Sequence, residues 1–315
     1  MGRSFHCETN HLEYLTMPTT AIFWHPDIFL HDLHAHHAAM DLERIELVSR
    51  AVRALDNVQS ELAEPASAEQ LERAHHPDYL TYLASSTSLP DGKSVELAPD
   101  TAMNRHTWRA VSLSAGAACQ AVDAVRDGRI RHAFNPVYAG HHADYTGADG
   151  FCFINTVLVG ALHAQARGFQ RIAVLDFDVH SGNGTVMGLL DKPEFRFAET
   201  YQPGYPGAFL QKINRPEHIL RKKCESRTEV LAAWKGFFSN LKAWQPDLLM
   251  VSAGFDAHRA DPLGRLGLVD DDYAWLARGL LGLDAPVVAS LEGGYTVTVT
   301  ARCAALFAHT LANGV

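Results

Sequence analysis

Three short aliphatic runs constrain this chain more than any other feature: Ile172–Leu175, Asp247–Ser252 and Pro286–Leu291. Each is apolar nearly throughout, and each follows a segment with helical spacing: Ile154–Arg167, Thr228–Trp244 and Asp271–Leu281. A fourth, Ala-rich helix is expected over Trp108–Arg126, ended by Asp127-Gly128. Strands that lack polar alternation are covered on both faces, and strands separated by helices run parallel. The expected fold is therefore a single-domain, three-layer αβα arrangement around a mostly parallel sheet. In such sheets ligands bind beyond the carboxyl ends of the strands.

Nothing in the sequence divides the chain. Its 315 residues are about twice a common domain length, which α/β folds reach as one domain. There is no fixed-period repeat, and the nearest thing to a break is Ser85–Asp100, a polar, turn-rich stretch expected as a loop. Residues 1–17 are expected to be a poorly ordered extension and residues 18–315 the domain. Acidic residues number 36 against 27 basic, for a net charge of −9, and the longest basic run is Arg221-Lys222-Lys223. No nucleic-acid partner is expected from that balance. No apolar stretch approaches the roughly 18 residues of a membrane span, and the N-terminus has no apolar signal core. The five cysteines are scattered without a CxxC, as reduced thiols are. The expectation is a cytoplasmic protein with no membrane partner.

All three strands run into polar residues at the end where a site should lie. The first gives Asp176-Phe177-Asp178-Val179-His180-Ser181-Gly182-Asn183, the second Gly254-Phe255-Asp256, and the third Glu292-Gly293-Gly294-Tyr295. Another polar segment, Gly140-His141-His142-Ala143, precedes Gly150-Phe151-Cys152-Phe153. On an extended strand, residues two apart face the same way about 6.6 Å apart. Asp178 and His180 can then meet at one ion, with bonds of about 2.0–2.2 Å. Asp176, about 13 Å from His180 on the same rise, should sit deeper and orient another group. Asp256, from the neighbouring strand, can supply a third ligand.

Two carboxylates and one imidazole leave an open coordination position, as a catalytic metal site requires. Donors of this hardness suit Zn²⁺ first, with Fe²⁺ and Mn²⁺ as alternatives. Carboxylates at the end of an apolar strand are costly to bury without such a partner. Blander readings hold elsewhere. Cys152, between two phenylalanines, reads as a small buried hydrophobe. The His-rich run through His31, His34, His36 and His37 reads as a solvated loop near the site entrance.

In this order, the motifs resemble the zinc-dependent histone deacetylase superfamily, which includes acetylpolyamine amidohydrolases and acetoin-utilisation proteins. The resemblance runs from about Glu43-Arg44 to the C-terminal helix. It implies the arginase/deacetylase-like fold, one Zn²⁺ per chain on Asp178, His180 and Asp256, and removal of acetyl from an N-acetylated amine. His141 and His142 would be tandem histidines paired with Asp176 and Asn183, the asparagine being similar to the class II branch. Tyr295 would hydrogen-bond the reacting carbonyl oxygen. Gly150, Phe151, Tyr205, Leu263, Gly293 and Gly294 would line a narrow tunnel. The implied substrate is acetyl-lysine in a protein or peptide, because Leu263 stands where a polyamine-selective relative would carry glutamate. Acetylpolyamine is the alternative, and oligomeric state is left open.

The chain also departs from the family pattern. Val137-Tyr138-Ala139 replaces Arg-Pro-Pro, and Glu199-Thr200-Tyr201-Gln202 replaces a Ser-x-His-Gln that contributes to a structural K⁺ site near Asp176. Ala98 falls where class II relatives often carry an aspartate that grips the substrate backbone, so that either Glu96 replaces it or peptide binding is weak. Three other functions compete. An arginase-type dimanganese hydrolase needs more bridging carboxylates than the motif supplies. A Cys–His hydrolase would use Cys152. A non-enzymatic acyl-binding module would leave the chemical residues without a task.

Overall fold

The computed structural model describes residues 20–32, 43–204, 210, 213 and 215–314. In chain order its strands are β1 (Thr20–Trp24), β2 (Val58–Leu62), β3 (Ser94–Ala98), β4 (Thr101–Asn104) and β5 (His132–Asn135), then β6 (Ile172–Asp176), β7 (Arg196–Tyr201), β8 (Ile219–Lys223), β9 (Leu248–Ala253) and β10 (Val287–Leu291). Its α-helices are α1 (Glu43–Arg53), α2 (Ala68–Glu72), α3 (Pro77–Ala84), α4 (Thr107–Arg126) and α5 (Thr156–Ala166), then α6 (Asn183–Leu189), α7 (Arg227–Trp244), α8 (Asp270–Leu281) and α9 (Val297–Asn313). Eight strands form one sheet in the order β2-β1-β5-β10-β9-β6-β7-β8. Every pairing in it is parallel.

Helices α1, α7, α8 and α9 pack over one face, and α4 and α5, with α2, α3 and α6, over the other. That sandwich explains the aliphatic runs: β6, β9 and β10 are buried at every residue, so neither face of these strands can be polar. Helix α4 is enclosed along most of its length and stops at Asp127, followed by Gly128 at φ 71°. The expected three-layer α/β fold is the observed one. None of the described helices is long and apolar enough to cross a membrane.

Three local expectations are corrected. Ser85–Asp100 is not all loop: it holds a 3₁₀ turn at Ser85–Ser88 and β3, which pairs antiparallel with β4. The run is too short and too polar for its alternation to stand out. Second, the chain is not extended as far as His180, because β6 ends at Asp176. The amide of Asp178 turns back to Asp176 Oδ1 (3.0 Å), and that of His180 to Asp178 Oδ1 (2.8 Å). Each aspartate thus bends its own backbone, as Asx turns do. Third, His31 is buried rather than solvated, against Tyr138 and Phe153. Its Nδ1 lies 3.2 Å from Asn104 Oδ1. His34, His36, His37, Tyr205 and the 1–17 extension lie outside the described residues.

One level of the sheet is polar across six strands. Asn135, Ser290, Ser252, Asp176, Glu199 and Arg221 are successive register partners from β5 through β10, β9, β6 and β7 to β8. The first five are fully buried. This row lies beside the carboxyl ends of the strands, beneath the loops that carry the sequence motifs.

Candidate active site

The bends after β6 bring Asp178 and His180 against Asp256, which follows β9. His180 Nδ1 lies 3.2 Å from both Asp178 Oδ1 and Asp256 Oδ2. One ligand atom from each of the three residues lies within 4.8 Å of the others. The remaining oxygens are held by the backbone. Asp256 Oδ1 accepts from the Val179 amide (2.8 Å), and Asp178 Oδ2 from the Gly293 amide (2.8 Å). Asp256 Oδ2 is buried and has no donor besides its contact with His180 Nδ1.

Gly293 must be glycine for packing reasons. A Cβ there would fall 2.1 Å from Asp256 Oδ2 and 2.6 Å from Asp178 Oδ2. It therefore stands behind the carboxylates, and Gly294 packs against Thr300. Neither is among the residues that line the pocket described below, although both are expected in the tunnel wall; at Gly293 the backbone packs against the acidic cluster.

The electrostatics of the cluster call for a cation. Burial pushes the Asp256 carboxyl up to about 7, and the charge of Asp178 adds to the rise. Burial opposes charge on His180 too, but hydrogen bonds to Asp178 and Asp256 outweigh it and push the imidazole up to about 10. Without a metal, His180 itself becomes the cation these carboxylates require. A divalent ion would meet the same demand. The donor set, the Asp256 oxygen that no amide or hydroxyl caps, and the convergence of ligand atoms all fit one ion.

The tandem histidines lie beside this cluster, with ring centroids 4.0 Å apart, and have different partners. His141 Nδ1 is 2.9 Å from Asp176 Oδ2, whereas His142 Nδ1 is 2.6 Å from Asn183 Oδ1. Burial works against charge on His141, but the carboxylates of Asp176, Asp178 and Glu292 prevail and hold its pKa well above the usual value. Burial lowers His142, and the charges of His141 and His180 lower it further, to well below the usual value. The result is one charged and one neutral imidazole side by side, the arrangement that separates acid from base roles.

Glu292 ties the third strand end to these rings. It accepts from the amides of Gly140 (2.7 Å) and His141 (3.2 Å) and from Ser252 Oγ (3.0 Å). Arg44 donates to the Glu292 carbonyl at 2.6 Å and lies 5.6 Å over the Tyr295 ring. Burial, with the charges of Asp256 and Asp178, holds the Tyr295 phenol well above its usual range, so it remains a neutral donor. Cys152 is buried, its thiol bonded to the Gly150 carbonyl and held protonated by burial. A thiolate nucleophile has no support there.

A cavity of about 170 Å³ opens onto this centre, lined by Asp100, His142, Gly150, Phe151, His180, Leu263 and Tyr295. Phe151 is held at φ 67°, with its amide bonded to Thr101 Oγ1 (2.8 Å). Its ring faces that of Tyr295 at 6.1 Å. A non-glycine residue in the left-handed region carries strain, and here the strained bend places an aromatic wall. Asp100, at the turn between β3 and β4, was missed in the sequence. It lines the cavity, whereas Glu96, the expected replacement for the aspartate missing at Ala98, does not. The hairpin that places it there leaves no pattern in the sequence.

Comparison with known proteins gives a consistent result. The Histone deacetylase domain family matches residues 37–311. A probable deacetylase of Methanothermobacter thermautotrophicus is 30% identical over 84% of this chain and 83% of that protein. Polyamine deacetylase HDAC10 of Mus musculus is 30% identical over 78% of this chain, but only 40% of its own length is matched. Histone deacetylase 4 of Caenorhabditis elegans is 30% identical over 74% of this chain and 31% of that protein. The crystal structure of the HDA15 HD domain superimposes with a TM-score of 0.86 over 93% of this chain and 89% of that one, at 24% identity, and so shows the fold. The chain belongs to the histone deacetylase family, and is a hydrolase acting on amides.

Proposed function

We propose that this chain removes acetyl groups from acetyl-lysine side chains of proteins or peptides, using one zinc ion held by Asp178, His180 and Asp256. The supporting observation is that these three residues converge, and that His180 lines a cavity of about 170 Å³ together with His142 and Tyr295. Zinc, when bound, supplies polarisation of the amide carbonyl and a water of pKa about 7.

The chain's own residues supply the rest. Asn183 Nδ2 donates to the His142 carbonyl, so Oδ1 is the atom that faces the ring and can only accept. His142 therefore carries its proton on Nδ1 and presents a lone pair on Nε2. That nitrogen takes the proton of the attacking water and returns it to the amine nitrogen as the C–N bond breaks. His141, held charged by Asp176, stabilises negative charge nearby. The Tyr295 hydroxyl donates to the oxygen that becomes anionic. Phe151 and Leu263 flank the methylene chain and exclude water, and Asp100 at the cavity can accept an N–H of the substrate.

Acetylpolyamine is the second reading. The Asp100 carboxylate and the overall negative charge would favour a cationic chain, and a polyamine deacetylase is among the relatives. Leu263 weighs against it, since an apolar residue there offers no partner for a second amine. Side-by-side kcat/KM on acetyl-lysine peptide, acetylputrescine and acetylspermidine decides between them. The first reading expects the peptide to lead and Leu263→Glu to shift preference towards acetylspermidine. A wild-type preference for acetylspermidine would overturn it.

A further inference from the structure

Buried in the polar row, on the side of Asp176 away from Ser252, is an ion pair that the reaction above does not use. Glu199 is fully buried, and the Arg221 side chain is 7% exposed, with its Nε 2.5 Å from Glu199 Oε1. Every oxygen of Glu199 is engaged. Oε1 also accepts from Ser181 Oγ (2.8 Å), and Oε2 from the Gly182 amide (2.9 Å). Arg221 in turn donates to Ser181 Oγ (2.8 Å) and to the Leu210 carbonyl (2.6 Å), and lies 4.9 Å over the Tyr201 ring. The pair thus grips Ser181-Gly182, the two residues between His180 and Asn183. Gly182 rests against Asp176 so closely that a Cβ there would fall 2.4 Å from Asp176 Oδ2, the oxygen bonded to His141.

These residues do not fit a structural K⁺ near Asp176, the site that the loss of Ser-x-His-Gln already puts in doubt. The one side chain that would differ at that site is a carboxylate with no oxygen left to give, already neutralised by a fixed guanidinium. Taking the deacetylase reading above as given, we propose that Arg221 is a positioning residue. It is a built-in cation that sets the Ser181–Gly182 turn through Glu199, and so makes the enzyme indifferent to monovalent cations. The planar guanidinium suits the task because it spans a carboxylate, a hydroxyl and a carbonyl at once, which a lysine ammonium on a flexible stem does less well.

Two measurements on the wild-type protein test this without any variant. At constant ionic strength, kcat in KCl, NaCl and choline chloride should agree within about twofold. The melting temperature should be the same in KCl as in choline chloride, because an ion bound only by the folded chain would raise it. The melting comparison does not depend on the substrate, so a wrong deacetylase reading would leave it intact. Arg221→Met should lower kcat by about tenfold or more with KM nearly unchanged, as expected when a supporting contact and not a substrate contact is lost. Low-millimolar guanidinium should restore part of that activity, and Arg221→Lys should fall between. K⁺-stimulated turnover or a K⁺-raised melting temperature in the wild type would overturn the proposal, as would an Arg221→Met enzyme with wild-type kcat.

Discussion

His142 and Asn183 meet at 2.6 Å through the ring Nδ1 and the amide oxygen, a neutral contact directly beside the carboxylate contact of His141. The neutral partner leaves His142 without the charge that would pin a proton on both ring nitrogens. His142→Ala should therefore lower kcat by about 10²–10⁴, the usual contribution of a positioned base. Asn183→Ala, which frees the ring to turn, should lose a smaller part of that. Steady-state kinetics on metal-replete protein measures both, and a His142→Ala enzyme within threefold of wild type would remove this residue from the mechanism.

Tyr295 hangs from a loop whose amide is bonded to Asp261 Oδ2 (2.7 Å), so the ring has little freedom to move when its hydroxyl is removed. Tyr295→Phe should keep the cavity and the metal and lose one oxyanion donor, lowering kcat by about 10²–10³. Turnover close to normal would show that the phenol does not face the reacting oxygen.

A different histidine makes stability depend on pH. His75 donates from Nδ1 to the Asp144 carbonyl (2.8 Å) and accepts the Asn155 amide at Nε2 (2.9 Å), so only one neutral tautomer fits. Burial lowers its pKa from 6.5 to about 4. Because the folded value lies below the unfolded one, the unfolded chain takes up the proton first. Stability is then lost as pH falls from about 6.5 towards 4, by an amount on the order of 3 kcal/mol. His31 and His132, also held near 4 by burial, act in the same direction. Melting temperature should fall across this window, and less steeply in His75→Gln, whose amide can make the same two bonds without titrating. Equal slopes in the two proteins would contradict the assignment.

What could be read from the residues alone follows from burial. Ile172–Asp176, Leu248–Ala253 and Val287–Leu291 stand out because they are covered on both faces, which leaves continuous apolar runs. Asp178, His180 and Asp256 stand out because acidic groups at the ends of such strands need a partner. An extended strand is the wrong backbone for their spacing, yet the three meet because Asx turns shorten the path. Asp100 is not legible, since a four-residue antiparallel strand leaves no periodic trace and only the hairpin turn brings the residue to the cavity. Glu199 and Arg221 were not legible as a pair either. They lie on different strands and become neighbours only through the parallel register of β7 and β8. Gly293 enters the sequence reading only as a tunnel residue implied by the resemblance, whereas what demands a glycine there is its close packing against two carboxylates.

Every step proposed for this site depends on a single ion held by Asp178, His180 and Asp256. Metal analysis of purified protein by inductively coupled plasma mass spectrometry, for the wild type and for Asp256→Asn, tests it most directly. One zinc per wild-type chain, and nearly none in a folded Asp256→Asn protein, is the predicted result. Two ions per chain, no ion, or full metal content in Asp256→Asn would contradict it.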